Sequence, residues 1–179
     1  MLDTDSLEDS ISEIYRKYYG DVYRFIICFS GNQNDAEDMT QEVFIRVLNN
    51  LSKFNHSVNL KTWIFSIAKH VAIDHYRKFK FTSIFKEGFF KQLQSNERNP
   101  NELAEQNEIK NYVQDAISKV KPNYRVILLL RGINEFSIKE TAEILNCSES
   151  KVKVDYHRAL KDLNRKLHVT CREVIGHEN

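Results

Sequence analysis

The stretch from Ser150 to Arg165 gathers Lys151, Lys153, Arg158, Lys161 and Arg165. Ammonium and guanidinium groups donate to phosphate oxygens and, at guanine, to O6 and N7. On a helical wheel Ser150, Lys151, Val154, His157, Arg158, Lys161 and Arg165 share one face, with no carboxylate near its centre. Val152, Tyr156, Ala159, Leu160, Leu163 and Leu167 share the other and are the expected core side. In a nucleic-acid reading Arg158 and Lys153 donate to guanine edges and Val154 touches a thymine methyl, while Lys151, Lys161 and Arg165 hold phosphates. An ordinary surface helix can carry a solvated basic face too, and His157 fits either reading.

A second cationic set lies in "KTWIFSIAKHVAIDHYRKFK", Lys61 to Lys80. Thr62, Ser66, Lys69, His70, Ile73, Arg77 and Lys80 form an acid-free stripe on a helix about 30 Å long. Trp63, Phe65, Tyr76 and Phe79 add flat rings. Cations beside aromatics suit single-stranded DNA, where bases stack and phosphates are neutralised. Aromatics at helical spacing are also ordinary core residues, and Trp63 lies nearer the apolar side.

A third set has the opposite sign. In "NDAEDMTQEVFIRVLNNL", Asn34 is the expected cap, with Glu37 three positions on. Ala36, Met39, Val43, Val47 and Leu51 form the inner stripe. Asp38, Gln41, Glu42, Ile45 and Leu48 face outward. Carboxylates beside exposed apolar groups repel phosphate but suit docking onto another polypeptide.

The elements that must position these groups read as helices throughout. Gly 5 and Pro 2 are few among 179 residues, and apolar residues recur at three- and four-residue spacing. "SIKETAEILNCSESKVKVDYHRALKDL" reads as two short amphipathic helices around a polar break at Asn146 to Ser148, a helix-turn-helix. Ser148 is the expected cap of its second helix, and Pro122 suits the first turn of a helix starting near Lys121. The expected fold is all-α, with two small helical domains joined by a flexible linker. A helical bundle spans 6–80, the linker 81–107, and a helix-turn-helix domain 108–167. The linker holds Phe81, Phe85, Phe89 and Phe90, which could pack on a domain or thread across a partner.

The formal net charge of +1 hides a segregation. Residues 1–60 carry five Lys/Arg against ten Asp/Glu, and residues 61–99 carry eight against three. Such a split assigns different surfaces to different partners. The longest apolar runs are too short to span a bilayer, and "MLDTDSLEDS" lacks the pattern of a signal peptide. A cytoplasmic location follows as an expectation. Three separated cysteines form no disulfide frame or zinc site. Cys28 and Cys147 read as small buried side chains. His56, His70, His75, His157, His168 and His177 show no ligand spacing, and no nucleophile motif or Gly-rich phosphate loop occurs. Neither a metal, a cofactor nor an enzymatic activity is expected. A stand-alone helix-turn-helix regulator remains an alternative, but it leaves the acidic face and the middle stripe without a task.

The chain resembles the extracytoplasmic-function sigma factors of the sigma-70 family. "DAEDMTQEVFIRVL" resembles their core-binding segment, "FNHSVNLKTWIFSIAKHVAIDHYRK" the segment that reads and opens the minus-ten element, and "AISKVKPNYRVILLLRGINEFSIKETAEILNCSESKVKVDYHRALKDL" the domain that reads the minus-thirty-five element. The likeness runs in order from Ile14 to Leu167. It implies an initiation factor that binds core RNA polymerase and promoter DNA under cell-envelope stress, restrained by an anti-sigma factor. It places Asp38, Gln41 and Glu42, with Ile45 beside them, on the polymerase-docking surface. His70, Asp74 and Arg77 fall at the minus-ten bases, with Trp63, Lys69 and Lys80 in the same segment. Lys153, Val154, His157 and Arg158 fall at the minus-thirty-five bases, flanked by Lys151 and Lys161. The Phe-rich linker corresponds to the connector that passes through the polymerase. Two departures stand out: Asp74 puts a carboxylate where phosphate would repel it unless it accepts from a cytosine amino group, and Val154 replaces an expected polar residue. Arg158→Ala should cost about 1–3 kcal/mol at one promoter position and relax specificity there. Binding to promoters substituted one base pair at a time checks this, and an equal loss on all sequences would mark a phosphate contact instead.

Overall fold

The computed structural model describes the backbone of residues 4–87 and 104–175. Its elements are α1 (Thr4–Ser30), α2 (Gln33–Asn50), a 3-10 turn (Leu51–Lys53), α3 (Leu60–Glu87), α4 (Ala104–Ser118), α5 (Pro122–Gly132), α6 (Ile138–Leu145) and α7 (Glu149–Ile175). No strand occurs among the described residues, so the all-α expectation is borne out.

Tyr18, Val22, Phe25 and Phe29 recur every three or four residues along α1 and bury one stripe against α2 and α3. Gly31 ends α1 in the left-handed region, φ +73°, and its N–H donates to the Ile27 carbonyl at 2.9 Å. Asn32 then caps α2, accepting from the Asp35 N–H at 3.0 Å. The expected cap, Asn34, is a residue inside the first turn. The displacement arises because Gly31 supplies the corner, leaving Asn32 in the extended conformation a cap needs. Ala36, Met39, Val43 and Val47 are buried as the stripe predicts, joined by Thr40 and Phe44, whereas Leu51 leaves the stripe, half-buried in the 3-10 turn.

In the second half α5 is the central rod. Pro122 stands at its first turn as expected, and Val126 through Leu130 are all buried. A helix apolar on every side must be covered on every side. Leu128 meets Val120 and Ala159, with Tyr156 and Leu163 packed around them. Leu129 and Leu130 face the other way, into a core shared with Phe25, Phe65 and Phe136. The halves therefore share apolar packing, with α5 and α4 on α1 and α6 on α3.

Arg125 fixes this junction. It is 5% exposed; its Nη1 donates to the Phe29 carbonyl at 2.8 Å, and Nη2 to Val120 at 3.2 Å and to Ser118. The Phe29 and Ser118 carbonyls end α1 and α4, where the helix carries partial negative charge and lacks internal donors, and Val120 lies in the turn that leads to α5. The guanidinium also lies 5.0 Å from the Phe29 ring centre and 5.8 Å from that of Tyr76. Burial pushes its pKa down, and Tyr76 opposes that. Gln114 adds a bond to the Cys28 carbonyl at 3.0 Å, and Asn134 one to Asp21 at 3.2 Å.

Several boundaries differ from expectation. α3 continues past Lys80 to Glu87, into the segment read as linker, and α4 begins at Ala104. Phe89 and Phe90 lie outside the described residues. α7 runs on to Ile175 instead of ending near Leu167. Arg125→Met keeps side-chain bulk but takes the guanidinium donor from the buried Phe29 and Val120 carbonyls and from the Ser118 carbonyl. The variant should lose about 3 kcal/mol or more of unfolding free energy, read by urea denaturation.

Candidate nucleic-acid interface and docking face

The helix-turn-helix is held by its caps. Ser137 accepts from the Glu140 N–H at 3.2 Å, and the Glu140 carboxylate accepts from the Ser137 N–H at 2.8 Å. This capping box holds the Glu140 carboxyl below its usual range, through the side-chain and backbone bonds of Ser137. Asn146 takes the left-handed conformation, φ +52°, that closes α6. Ser148 accepts from the Lys151 N–H at 3.2 Å, the capping role expected of it. Sequence reading missed the Ser137 box, although "SIKE" carries its spacing.

On α7, Lys151, Lys153, Val154, His157, Arg158 and Lys161 are all exposed, so the predicted cationic face exists as one surface. Val154 is 49% exposed at its centre. Val152 and Ala159 are fully buried, and Tyr156, Leu163 and Leu167 are half-buried. Leu160, expected in the core, is 44% exposed. At that turn Ala159 occupies the position against Val120 and Leu128, and its neighbour rotates outward.

The α3 stripe is only partly open. His70, Arg77 and Lys80 are exposed, but Thr62 is 2% exposed, and Ser66, Lys69 and Ile73 are half-buried. α6 packs along this side of α3, which sequence periodicity could not show. Burial pushes the Lys69 ammonium pKa down; Asp74 and then Cys147 of the helix-turn-helix pull it back. Its Nζ stands 3.0 Å from His70 Nε2, while His70 Nδ1 lies 2.7 Å from the Ser66 carbonyl. A carbonyl only accepts, so Nδ1 carries the proton and Nε2 accepts from Lys69. Lys69, expected to reach DNA, is thereby drawn toward a neighbouring side chain. Phe65 is fully buried, 5.6 Å from the Phe25 ring and 4.7 Å from Phe136; it is core, unavailable for base stacking. Trp63 is half-buried, its ring 5.0 Å from Phe54, and Phe79 is 60% exposed. Trp63, Ile67 and His70 face Arg46, Asn50 and Lys53 across an open groove between α3 and the end of α2.

Asp74 is not bare. Arg46 of α2 sets Nη1 3.8 Å from Asp74 and Nε 2.7 Å from Glu42. One guanidinium thus moderates the carboxylate that departed from expectation and ties the acidic helix to the basic one. On α2, Asp38 and Gln41 are exposed, Ile45 is 51% and Leu48 40% exposed. Asp38, Gln41, Ile45 and Leu48 therefore lie on an outer surface, while Glu42 is half-buried and held by Arg46. Beside it Tyr15, Tyr19 and Phe44 form a ring cluster with centres 4.8 to 6.1 Å apart, a feature sequence reading did not single out. Cys28 and Cys147 are half-buried instead of buried.

Known proteins are similar to this chain in sequence and in fold. The Sigma-70 region 2 family matches residues 14–81, and the Sigma-70 region 4 family matches residues 110–163. The chain is 36% identical over 176 residues to the Bacillus subtilis ECF RNA polymerase sigma factor SigX, covering 96% of this chain and 91% of that protein. It is 34% identical to SigM of the same organism, over 86% of this chain and 93% of that one. Its fold matches the sigma factor RpoE from Bartonella quintana, solved with the anti-sigma factor NepR. The TM-score is 0.69 at 22% identity, covering 89% of this chain and 98% of that one. CnrH, solved with the cytosolic domain of CnrY, matches with a TM-score of 0.68 at 19% identity, covering 90% of each. With its two sigma-70 regions in order and relatives of this identity along nearly its whole length, the chain belongs to the extracytoplasmic-function sigma factors of the sigma-70 family.

Proposed function

We propose that this sigma factor binds core RNA polymerase through the outer face of α2 and directs promoter-specific initiation through α3 and α7. The observation that carries the reading is the separation of signs. Asp38, Gln41, Ile45 and Leu48 lie open on one helix, and the cationic face of α7 lies open on another. A surface mixing carboxylates with exposed Ile and Leu suits a polypeptide partner. A face with Lys151, Lys153, Arg158 and Lys161 around an exposed Val154 suits a major groove, with donors for guanine and an apolar contact for thymine.

At the minus-ten element, Trp63, His70, Arg77 and Lys80 form the contact set, with Arg46 and Lys53 across the groove from Trp63 and His70. Lys69 acts on His70, and Asp74 is moderated by Arg46. The chain supplies no catalytic group of its own in this reading; polymerase does the chemistry. Among the described residues no group of His, Cys, Asp and Glu could hold a metal ion, and no helix is long and apolar enough to cross a membrane. An anti-sigma factor is the expected inhibitory partner, since the similar RpoE was solved in complex with the anti-sigma factor NepR.

A stand-alone regulator would shift an operator without polymerase and start no transcript. Run-off transcription with core polymerase on genomic fragments should yield specific transcripts only when this chain is added. Gln41→Ala combined with Ile45→Asp should weaken capture of core polymerase at least tenfold, about 1.4 kcal/mol, while the full chain keeps its affinity for duplex DNA. Unchanged capture would overturn the docking assignment. Trp63→Ala should lower initiation and leave minus-thirty-five duplex binding unaltered, because the two surfaces lie on different helices.

A further inference from the structure

One carboxylate sits within the cationic helix where neither the fold nor simple phosphate attraction calls for it. Asp155 follows Val152 by three positions and precedes Ala159 by four, and both of those are fully buried. Its position is therefore on the core-facing arc, and its side chain is 12% exposed. An apolar residue there would pack without desolvating a charge. Instead its Oδ2 accepts from the Lys151 ammonium at 2.6 Å, and its Oδ1 lies 3.8 Å from Nη1 of Arg158. Those two side chains remain 62% and 63% exposed. Lys151, Asp155 and Arg158 are spaced by four and three residues, so they run in one line along α7.

We propose that Asp155 is a positioning residue for promoter readout, holding Lys151 by a hydrogen bond to one carboxylate oxygen and guiding Arg158 by charge through the other, so that both cations line one ridge. The inference rests on the reading of α7 as the minus-thirty-five helix. A long cationic side chain loses conformational freedom when it contacts a base, and a tether made before binding removes part of that cost. Lys151 gains a second effect. It lies in the first turn of α7, where the helix dipole disfavours a cation. Asp155 counters that, and its hydrogen bond and charge hold the Lys151 pKa above the ordinary value. The 3.8 Å separation leaves Arg158 a loose partner, free to turn its donors to a base edge while its base remains guided.

A positioning carboxylate has a signature that a structural one lacks. Removing its charge makes the helix more positive, so attraction to any duplex rises while discrimination falls. The test uses holoenzyme made from core polymerase and the full chain, on a promoter recovered by run-off transcription. Initiation is compared on that promoter and on versions substituted singly across the minus-thirty-five element. Asp155→Asn should lower the discrimination ratio at the position read by Arg158 about fivefold, and bind unrelated duplex at least as tightly as the parent. Asp155→Glu should recover part of the ratio. In an Arg158→Ala background, Asp155→Asn should change the ratio no further.

An unchanged ratio in Asp155→Asn, or an equal loss with and without Arg158, overturns the proposal while α7 keeps its assignment. If Arg158→Ala itself alters no position of the element, the assignment of Arg158 fails and the tether fails with it. Lys151→Met supplies an arm that does not disturb packing, since Lys151 is exposed. It should weaken binding uniformly and keep the ratio, because Arg158 then has the carboxylate to itself; a fallen ratio overturns the proposal.

Discussion

A guanidinium cannot shed its charge inside a protein, so Arg125 must find acceptors wherever the fold puts it. In this molecule the acceptors are the carbonyls of Phe29 and Ser118, at the loose ends of two helices, and of Val120 in the turn after the second. That requirement aligns α1, α4 and α5 at one point. From it follow the contact of Gln114 with Cys28 and the placing of Phe136 against Phe65. Lys61 closes the same edge, paired with Asp21 at 2.8 Å and lying 5.3 Å from the Phe136 ring centre. The orientation of α6, and hence of α7, is inherited from this joint.

Charge segregation along the sequence becomes geometry through a second arginine. Arg46 lies on α2, the acidic helix, yet reaches Asp74 on α3. It offsets an acid on each side of the boundary between the docking face and the groove beside Trp63. This arrangement explains how a carboxylate can sit beside a cationic stripe without cancelling it. It also separates Asp38, exposed on the outer face, from Glu42, whose charge is already shared.

Helices and their inner faces were legible because burial imposes a period on the chain. The stripe Ala36, Met39, Val43, Val47 and the exposed line Lys151, Val154, Arg158 both followed from spacing alone. Contacts between distant helices were not legible, since no local period records them. Spacing alone places Thr62 and Lys69 on the open stripe, whereas their burial depends on parts of the fold distant in sequence. Spacing offers Phe65 as a stacking ring for the same reason: its neighbours are Phe25 on α1 and Phe136 in the loop between α5 and α6. The cap shifted from Asn34 to Asn32 because both carry the same side chain and only the Gly31 corner decides between them. Asp155 escaped notice because wheel reasoning files an acid among polar residues, whereas its backbone position faces inward.

The shared core has a practical outcome for anyone dividing the chain. Leu129, Leu130, Phe136 and Ile144 belong to the same buried core as residues of α1 and α3. Cleaved between 87 and 104, each fragment would carry a wet apolar scar, favouring clumping or re-pairing over independent behaviour. Excised pieces would report on that scar before they reported on either reader.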